Sequence, residues 1–166
     1  MVGKNEQDVY DILNLLEINY VRYEHPPVYT VNEAKELKLA ILGGKCKNLF
    51  LKSKKEGKYY LVIVEENKRL DLKLLARQIG TSGLSFASAE RLYQYLKLTP
   101  GSVTPFGIIN DADREVTVLI DKDLMKEEVV NFHPNVNTAT IGISFFDFEK
   151  FIKWHENEFY YVEIKS

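Results

Sequence analysis

Apolar positions along the chain follow two periods, and the switches between them outline the elements. Val9, Ile12, Leu13, Leu15 and Leu16 recur at helical spacing, which predicts a helix over about residues 5–17. Residues 20–24 alternate as a strand and stop at His25-Pro26-Pro27, where prolines cannot continue a ladder. Thr30-Val-Asn-Glu33 is a capping box, so a short helix is expected to reach about Leu39 before Gly43-Gly44 breaks it. Residues 46–52 and 59–64 read as two strands joined by the charged turn Lys54-Lys55-Glu56-Gly57, a hairpin. Asp71 caps a helix carrying Leu72, Leu74, Leu75 and Ile79, and Gly80 ends it. A short strand at residues 84–86 leads to a helix opened by Ser88 and running through Leu96.

The second half continues the mixture. Residues 98–107 form a loop with two prolines and two glycines, and the acid-rich residues 111–115 form a turn. Residues 116–120 read as a buried strand, and residues 129–134 and 138–143 as strands paired around Asn135. Ser144 and Asp147 open a last helix containing Phe148, Phe151, Ile152 and Trp154, and residues 160–164 close as a strand. Hairpins interleaved with helices predict an α+β fold with a largely antiparallel or mixed sheet, not a strict doubly wound one. No repeat or linker interrupts the pattern, so residues 1–166 are expected to form a single domain.

Composition narrows the class. Lysine plus arginine number 22 and aspartate plus glutamate 24, a formal net charge of −2. That balance argues against a basic nucleic-acid coat and, without a recognisable DNA-binding motif, against specific DNA binding. It leaves room for a local basic patch. Cys46 is the one cysteine, so there is neither an intrachain disulfide nor a cysteine cluster for zinc. No stretch approaches the ~20 apolar residues of a membrane span, and the acidic N-terminal residues do not read as a signal peptide. A cytoplasmic protein is expected.

Phosphate-binding glycine loops, nucleophile elbows and metal-binding helix motifs are missing, so no metal and no cofactor are expected. Three places remain. Lys47 opens an apolar strand after the Gly43-Gly44 break; it is either a solvated flanking lysine or a compact cation for a phosphate or carboxylate. The loop Gly101-Ser102-Val103-Thr104-Pro105 is either a plain connection or a stiffened backbone that lets a ligand approach closely. His133, in Asn131-Phe132-His133-Pro134, is either a half-buried strand end or a pocket residue able to hold or move a proton; His25 has similar surroundings. His155 reads as a surface residue, and Cys46 as a strand residue with nothing nearby to lower its pKa except lysines.

In order, the segments are His-Pro-Pro, Gly-Gly-x-x-Lys-Asn-Leu-Phe-Leu-Lys, Asp-Leu-Lys-x-Leu, Leu-Ser-Phe, Thr-Pro-Gly-Ser-Val-Thr-Pro-Phe-Gly and Asn-Phe-His-Pro. Together they resemble the YbaK/prolyl-tRNA synthetase editing-domain family over about residues 8–165, and in particular its free-standing branch. Each piece is weak alone; six in one order are specific. The resemblance implies a compact mixed α/β domain with a partly barrel-like sheet flanked by helices. It implies a trans-acting hydrolase that cleaves the ester of mischarged tRNA(Pro), chiefly alanyl-tRNA(Pro), in translational quality control.

Carried over by position, the family's lysine falls on Lys47, its Gly-x-x-x-Pro loop on Gly101 to Pro105, and its pocket histidine on His133. These three are the implied catalytic positions. Asn48, Ser102, Val103, Thr104, Pro105, Phe132 and His25 are the implied substrate contacts. Loop amides near Gly101 are expected to stabilise the tetrahedral oxyanion or position water, and Lys47 to pair with the terminal phosphate. The substrate's own 2′-hydroxyl is implied to assist the water, which accounts for the lack of a protein triad. At 166 residues no aminoacylation domain fits, so the chain is expected to meet released tRNA itself. Lysines at 45, 47, 52, 54 and 55 are expected to face the acceptor stem, with prolyl-tRNA synthetase a further candidate partner. The alternatives are deacylation of cysteinyl-, seryl- or threonyl-tRNA, or a non-catalytic module that binds tRNA ends or nucleotides.

Overall fold

The computed structural model describes residues 2–27, 41 and 43–165. The helix expected over residues 30–39 lies outside them. Helix α1 spans Lys4–Leu15 and buries Val9, Tyr10 and Leu13, the face its spacing predicts. Strand β1 is Val21–Glu24, β2 is Gly44–Ser53 and β3 is Tyr59–Glu65. Helix α2, Leu72–Ile79, starts where the Asp71 carboxylate accepts from the amides of Lys73 and Leu74 and stops at Gly80, φ +73°. Strand β4 is Leu84–Phe86, and helix α3, Ala89–Leu96, is capped by the Ser88 hydroxyl.

The loop that follows is two short 3₁₀ turns, Pro100–Ser102 and Pro105–Asn110, each opened by its proline. Strand β5 is Val116–Asp121, β6 is Val129–Phe132 and β7 is Ala139–Ser144. Helix α4, Phe145–His155, is capped by Ser144, whose hydroxyl accepts from the Asp147 amide, and β8 is Phe159–Val162.

These strands form one mixed sheet in the order β1-β7-β6-β2-β3-β5-β8, with β4 beside the far end of β2. The path is open, with β1 and β8 as its edges. Pairs joined by short turns, β2/β3 and β6/β7, are antiparallel; β2/β6, β3/β5 and β5/β8 are parallel. Both faces of the middle are covered. Leu61, Ile63, Val118 and Ile120 face a core shared with α1, α3 and α4, while Val62, Val64 and Leu119 face a second core under α2. Burial on both sides explains why β3 and β5 read as continuous apolar runs.

The pairing of β2 positions the site. Strand β2 pairs with β6 only at Gly44–Val130 and Lys45–Asn131. It next finds a partner on that side at Leu51–Phe86 of β4. Between these points the two strands part.

Candidate functional site

A cleft of about 120 Å³ occupies the parting. Lys45, Cys46 and Asn48 of β2 form one wall, and Asn131, Phe132 and His133 at the end of β6 form the other. Thr140 of β7, Ile41 and Glu66 complete the lining. In the β6/β7 register, which runs Asn131–Gly142 and Phe132–Ile141, His133 comes next opposite Thr140.

The polar groups here are held mainly through their donors. The Asn48 side-chain amide donates to the Val103 carbonyl at 3.1 Å, tying the Lys-Asn-Leu-Phe strand to the Gly101–Pro105 loop. Its Oδ1 is buried and has no partner among the described residues. His133 Nδ1 lies 2.9 Å from the Ala139 carbonyl, which can only accept, so the proton sits on Nδ1 and Nε2 is left as the acceptor of the neutral ring. Burial lowers the His133 pKa; the Ala139 carbonyl opposes this, and the nearby His25 adds to it. The ring is therefore neutral at pH 7. His25 is fixed in the same way: Nδ1 donates to the Pro26 carbonyl at 3.0 Å and Nε2 accepts from the Thr140 hydroxyl at 2.9 Å. The two imidazoles stand 6.1 Å apart between centroids.

Two loops meet beside the cleft. The β6–β7 turn carries Asn135, held at φ +60°, whose amide donates to the Phe106 carbonyl at 3.4 Å. Asn137 of the same turn lies 3.8 Å from where a Cβ on Gly101 would sit, and apart from Gly101 and its two chain neighbours no other described atom comes within 4 Å of it. The space over Gly101 is thus open enough for a ligand to approach the backbone. Ser102 and Thr104 are buried and local: the Ser102 amide donates to Thr99, and the Thr104 hydroxyl caps the following 3₁₀ turn. Pro105 is buried with them.

The structure thus gathers Asn48, Phe132 and His133 at one cleft, links His25 to it through Thr140, and links Val103 to it through Asn48. Gly101 joins through the contact between its loop and the β6–β7 turn. Lys47 is half-buried on β2 opposite Val64, and strand alternation sets it in the row of Leu49 and Leu51, away from Asn48. It is not among the residues lining the cleft.

Six lining residues are not ones that the sequence marks as part of a pocket: Ile41, Lys45, Cys46, Glu66, Asn131 and Thr140. Asn131 sits two positions before His133, and strand period alone places both on one face. Its amide donates to the Gly44 carbonyl at 3.2 Å across the parting of β2 and β6. Gly142 makes room for it, since a Cβ there would meet Asn131 Oδ1 at 2.7 Å. Cys46 also lines the cleft, but burial first, then Asp121 and the nearby glutamates, raises its thiol pKa far above the ordinary range. A thiol so held is no nucleophile. Among the described residues no group of three His, Cys, Asp or Glu could hold a metal ion, and no helix is long and apolar enough to cross a membrane.

Comparison with known proteins shows the family of the chain. Residues 25–151 match the model of the aminoacyl-tRNA editing domain. The chain belongs to that family. The match spans His25, the whole of β2, the Gly101–Pro105 loop and His133.

Relatives agree with this assignment. The editing domain is 43% identical over 159 residues to the prolyl-tRNA editing protein ProX of Acetoanaerobium sticklandii, covering 96% of this chain and 97% of that protein. It is 36% identical over 145 residues to prolyl-tRNA synthetase associated domain-containing protein 1 of Mus musculus, covering 85% of each. The crystal structure of a candidate trans-editing enzyme for prolyl-tRNA synthetase superposes with a TM-score of 0.74 at 21% identity, covering 100% of this chain and 99% of that one. At that identity the likeness speaks for the fold, and it bears out the expected mixed α/β class.

Proposed function

We propose that this editing domain is a trans-acting hydrolase in the cytoplasm that removes the amino acid from mischarged tRNA(Pro), chiefly alanine. One observation carries the reading. The Asn48–Val103 hydrogen bond joins the Lys-Asn-Leu-Phe strand to the glycine loop beside a neutral, oriented His133, within a cleft of about 120 Å³. Such a cleft suits a small aminoacyl group, with the rest of the acceptor end outside.

The chemistry follows from the groups present. Hydrolysis of the ester passes through a tetrahedral oxyanion, and loop backbone at Gly101 stands open to receive it or to place the attacking water. His133 Nε2 and Asn48 Oδ1 are both acceptors. They suit the ammonium of the amino acid, a ribose hydroxyl or the attacking water, and they need no protonation change at pH 7. Phe132 and His25 bound the aminoacyl group. Lys47 enters this reading through the resemblance alone, as a compact cation for the terminal phosphate, because it stands on the other face of β2 from Asn48 and outside the cleft lining. Alanine and proline differ by about two methylenes, each worth only about 1–3 kcal/mol in an apolar pocket, and the larger group is the one to be kept out, so wall sterics do much of the selecting.

The test is direct. tRNA(Pro) charged with alanine, cysteine, serine, threonine or proline is incubated with the protein, and loss of the ester is followed. Rapid release of alanine with proline retained is expected. Preferential release of another amino acid would replace the specificity, and no release from any mischarged tRNA would reject the enzyme in favour of a binding module. Lys45→Ala beside Lys47→Ala separates the lysine that lines the cleft from the one carried over by resemblance.

A further inference from the structure

The two edges of the sheet, β1 and β8, are finished differently. Just past β8, the Gln78 side chain stands in for a neighbouring strand at Glu163. Its amide donates to the Glu163 carbonyl at 3.0 Å, and its oxygen accepts from the Glu163 amide at 2.7 Å. A side chain that occupies both groups blocks another chain from pairing there. Strand β1 has no such cover among the described residues.

The register of β1 shows which of its groups lie open. The His25 amide donates to the Thr138 carbonyl at 2.9 Å, in line with the pairs Val21–Gly142 and Tyr23–Thr140. Bonding alternates along an antiparallel ladder, so Val21 and Tyr23 also turn their main-chain groups to β7. Those of Arg22 and Glu24 face the open edge, and among the described residues no bond outside the sheet engages them.

The same two positions carry opposite charges. Arg22 is anchored, its Nε donating to the Glu6 carboxylate and the Tyr10 hydroxyl, each at 2.9 Å. Its Nη1 reaches only Glu24, at a loose 3.4 Å, and Glu24 is exposed. On the other face of the strand, Val21 is exposed and Tyr23 half-buried. With Tyr20, Val129 and Ile143 they border a shallow open groove of about 460 Å³.

We propose that β1 is a dimerisation edge, where two copies of this chain pair their β1 strands antiparallel about a two-fold axis at Tyr23. Arg22 then faces the partner's Glu24, Tyr23 the partner's Tyr23, and Val21 the partner's His25. Each Arg22–Glu24 pair exchanges two main-chain hydrogen bonds and sets a fixed cation opposite an exposed carboxylate. Neighbouring registers fail. A shift of one residue sets the open groups against groups already bonded to β7, and a shift of two sets Arg22 against Arg22 or Glu24 against Glu24. Pro26 and Pro27 lack amides and end the run, so the pairing closes as a two-fold dimer instead of growing. Val21 of each copy comes to lie beside the partner's His25, at the border of the cleft.

The experiment uses the full chain. Sedimentation equilibrium from about 1 μM to about 1 mM, the span over which small interfaces associate, should show the mass rising from 19.2 kDa toward twice that value. Glu24→Pro removes an outward amide and spares the bonds to β7, so the dimer should dissociate about tenfold or more easily, the scale of the two hydrogen bonds lost. Glu24→Lys sets a cation against Arg22 and should weaken the dimer most at low salt, with no change to the backbone. Thermal unfolding confirms that each variant is folded.

Cross-linking reads the register. In a Cys46→Ala background, Tyr23→Cys should form an interchain disulfide under mild oxidation, since facing Cα atoms of a pair not hydrogen-bonded to each other stand about 4.5 Å apart. Val21→Cys should not, because the two copies of that residue lie four positions apart along the strands, about 13 Å. A mass of 19.2 kDa at every concentration would overturn the proposal. So would a dimer that both Glu24 variants leave unchanged, or a disulfide formed as fast by Val21→Cys as by Tyr23→Cys.

Discussion

Two buried polar clusters of this molecule are built on opposite plans. At Asp111, both carboxylate oxygens are used: one accepts from the Glu115 amide, the other from the Val116 amide and the Asn157 side chain. Asn157 is equally complete, donating to Asp111 and the Val116 carbonyl and bonded through its oxygen to His155. At the cleft, by contrast, donors go to backbone carbonyls and acceptors are kept. Asn48 gives its amide to Val103 and leaves Oδ1 unmatched, and His133 gives Nδ1–H to Ala139 and keeps Nε2. A buried acceptor without a donor costs about 1–3 kcal/mol, so a cluster that serves the fold closes every bond. One that serves a ligand leaves some open.

The comparison can be tested by breaking each side of it. The largest effect expected is on activity: Lys47→Ala should lower kcat/KM for alanyl-tRNA(Pro) by about a hundredfold or more, the scale of one preorganised charge contact, with thermal unfolding unchanged. Normal turnover in that variant would remove Lys47 from the site. Asp111→Ala should do the opposite. Losing a carboxylate that serves three donors should cost about 3 kcal/mol in urea unfolding while activity per folded molecule holds.

Asn48→Ala sharpens the contrast. It removes one hydrogen bond and one unmatched acceptor together, so stability should move little while kcat/KM falls about tenfold, or about 1.4 kcal/mol of transition-state binding. A large loss of stability in that variant would place Asn48 with Asp111 as a fold residue.

His133 is tested by pH. Its folded pKa lies below the ordinary value of about 6.5, so the unfolded chain binds the proton more readily and stability falls as pH drops below about 6.5. Activity should be flat near pH 7 and decline as the ring protonates. His133→Gln should flatten its part of the stability slope and relax the choice between alanine and proline; unchanged discrimination would count against its pocket role. The smallest effect belongs to Cys46→Ala, which should keep its turnover, with the wild-type thiol slow to alkylate in the native protein.

Much of the fold was legible from local pattern. Asp71, Ser88, Ser144 and Gly80 mark helix ends by side-chain and backbone chemistry that acts within one turn, and each does so in the structure. The β2–β3 and β6–β7 pairs were legible because a short turn leaves few ways to pair. The parallel pairs β2/β6, β3/β5 and β5/β8 were not, since nothing local sets a partner many residues away. His155 shows the same limit: expected at the surface, it is half-buried, bonded through Nδ1 to Asn157 at 2.5 Å.

For the site, the sequence by itself determined the chemistry on offer: an asparagine after Lys47, a glycine loop stiffened by prolines, and a histidine held before Pro134. It also determined that Cys46 stands in a strand. Only the tertiary structure decided which groups meet. The parting of β2 from β6 admits Asn48 and His133 to one cleft and brings Lys45, Asn131 and Thr140 with them. The Ala139 carbonyl sets the tautomer of His133, and burial sets the protonation of both His133 and Cys46. The physical reason is range. Caps, turns and strand alternation act over a few bonds and are written in neighbouring residues. Burial, register and the partner of a side-chain nitrogen depend on atoms that only the folded chain brings together.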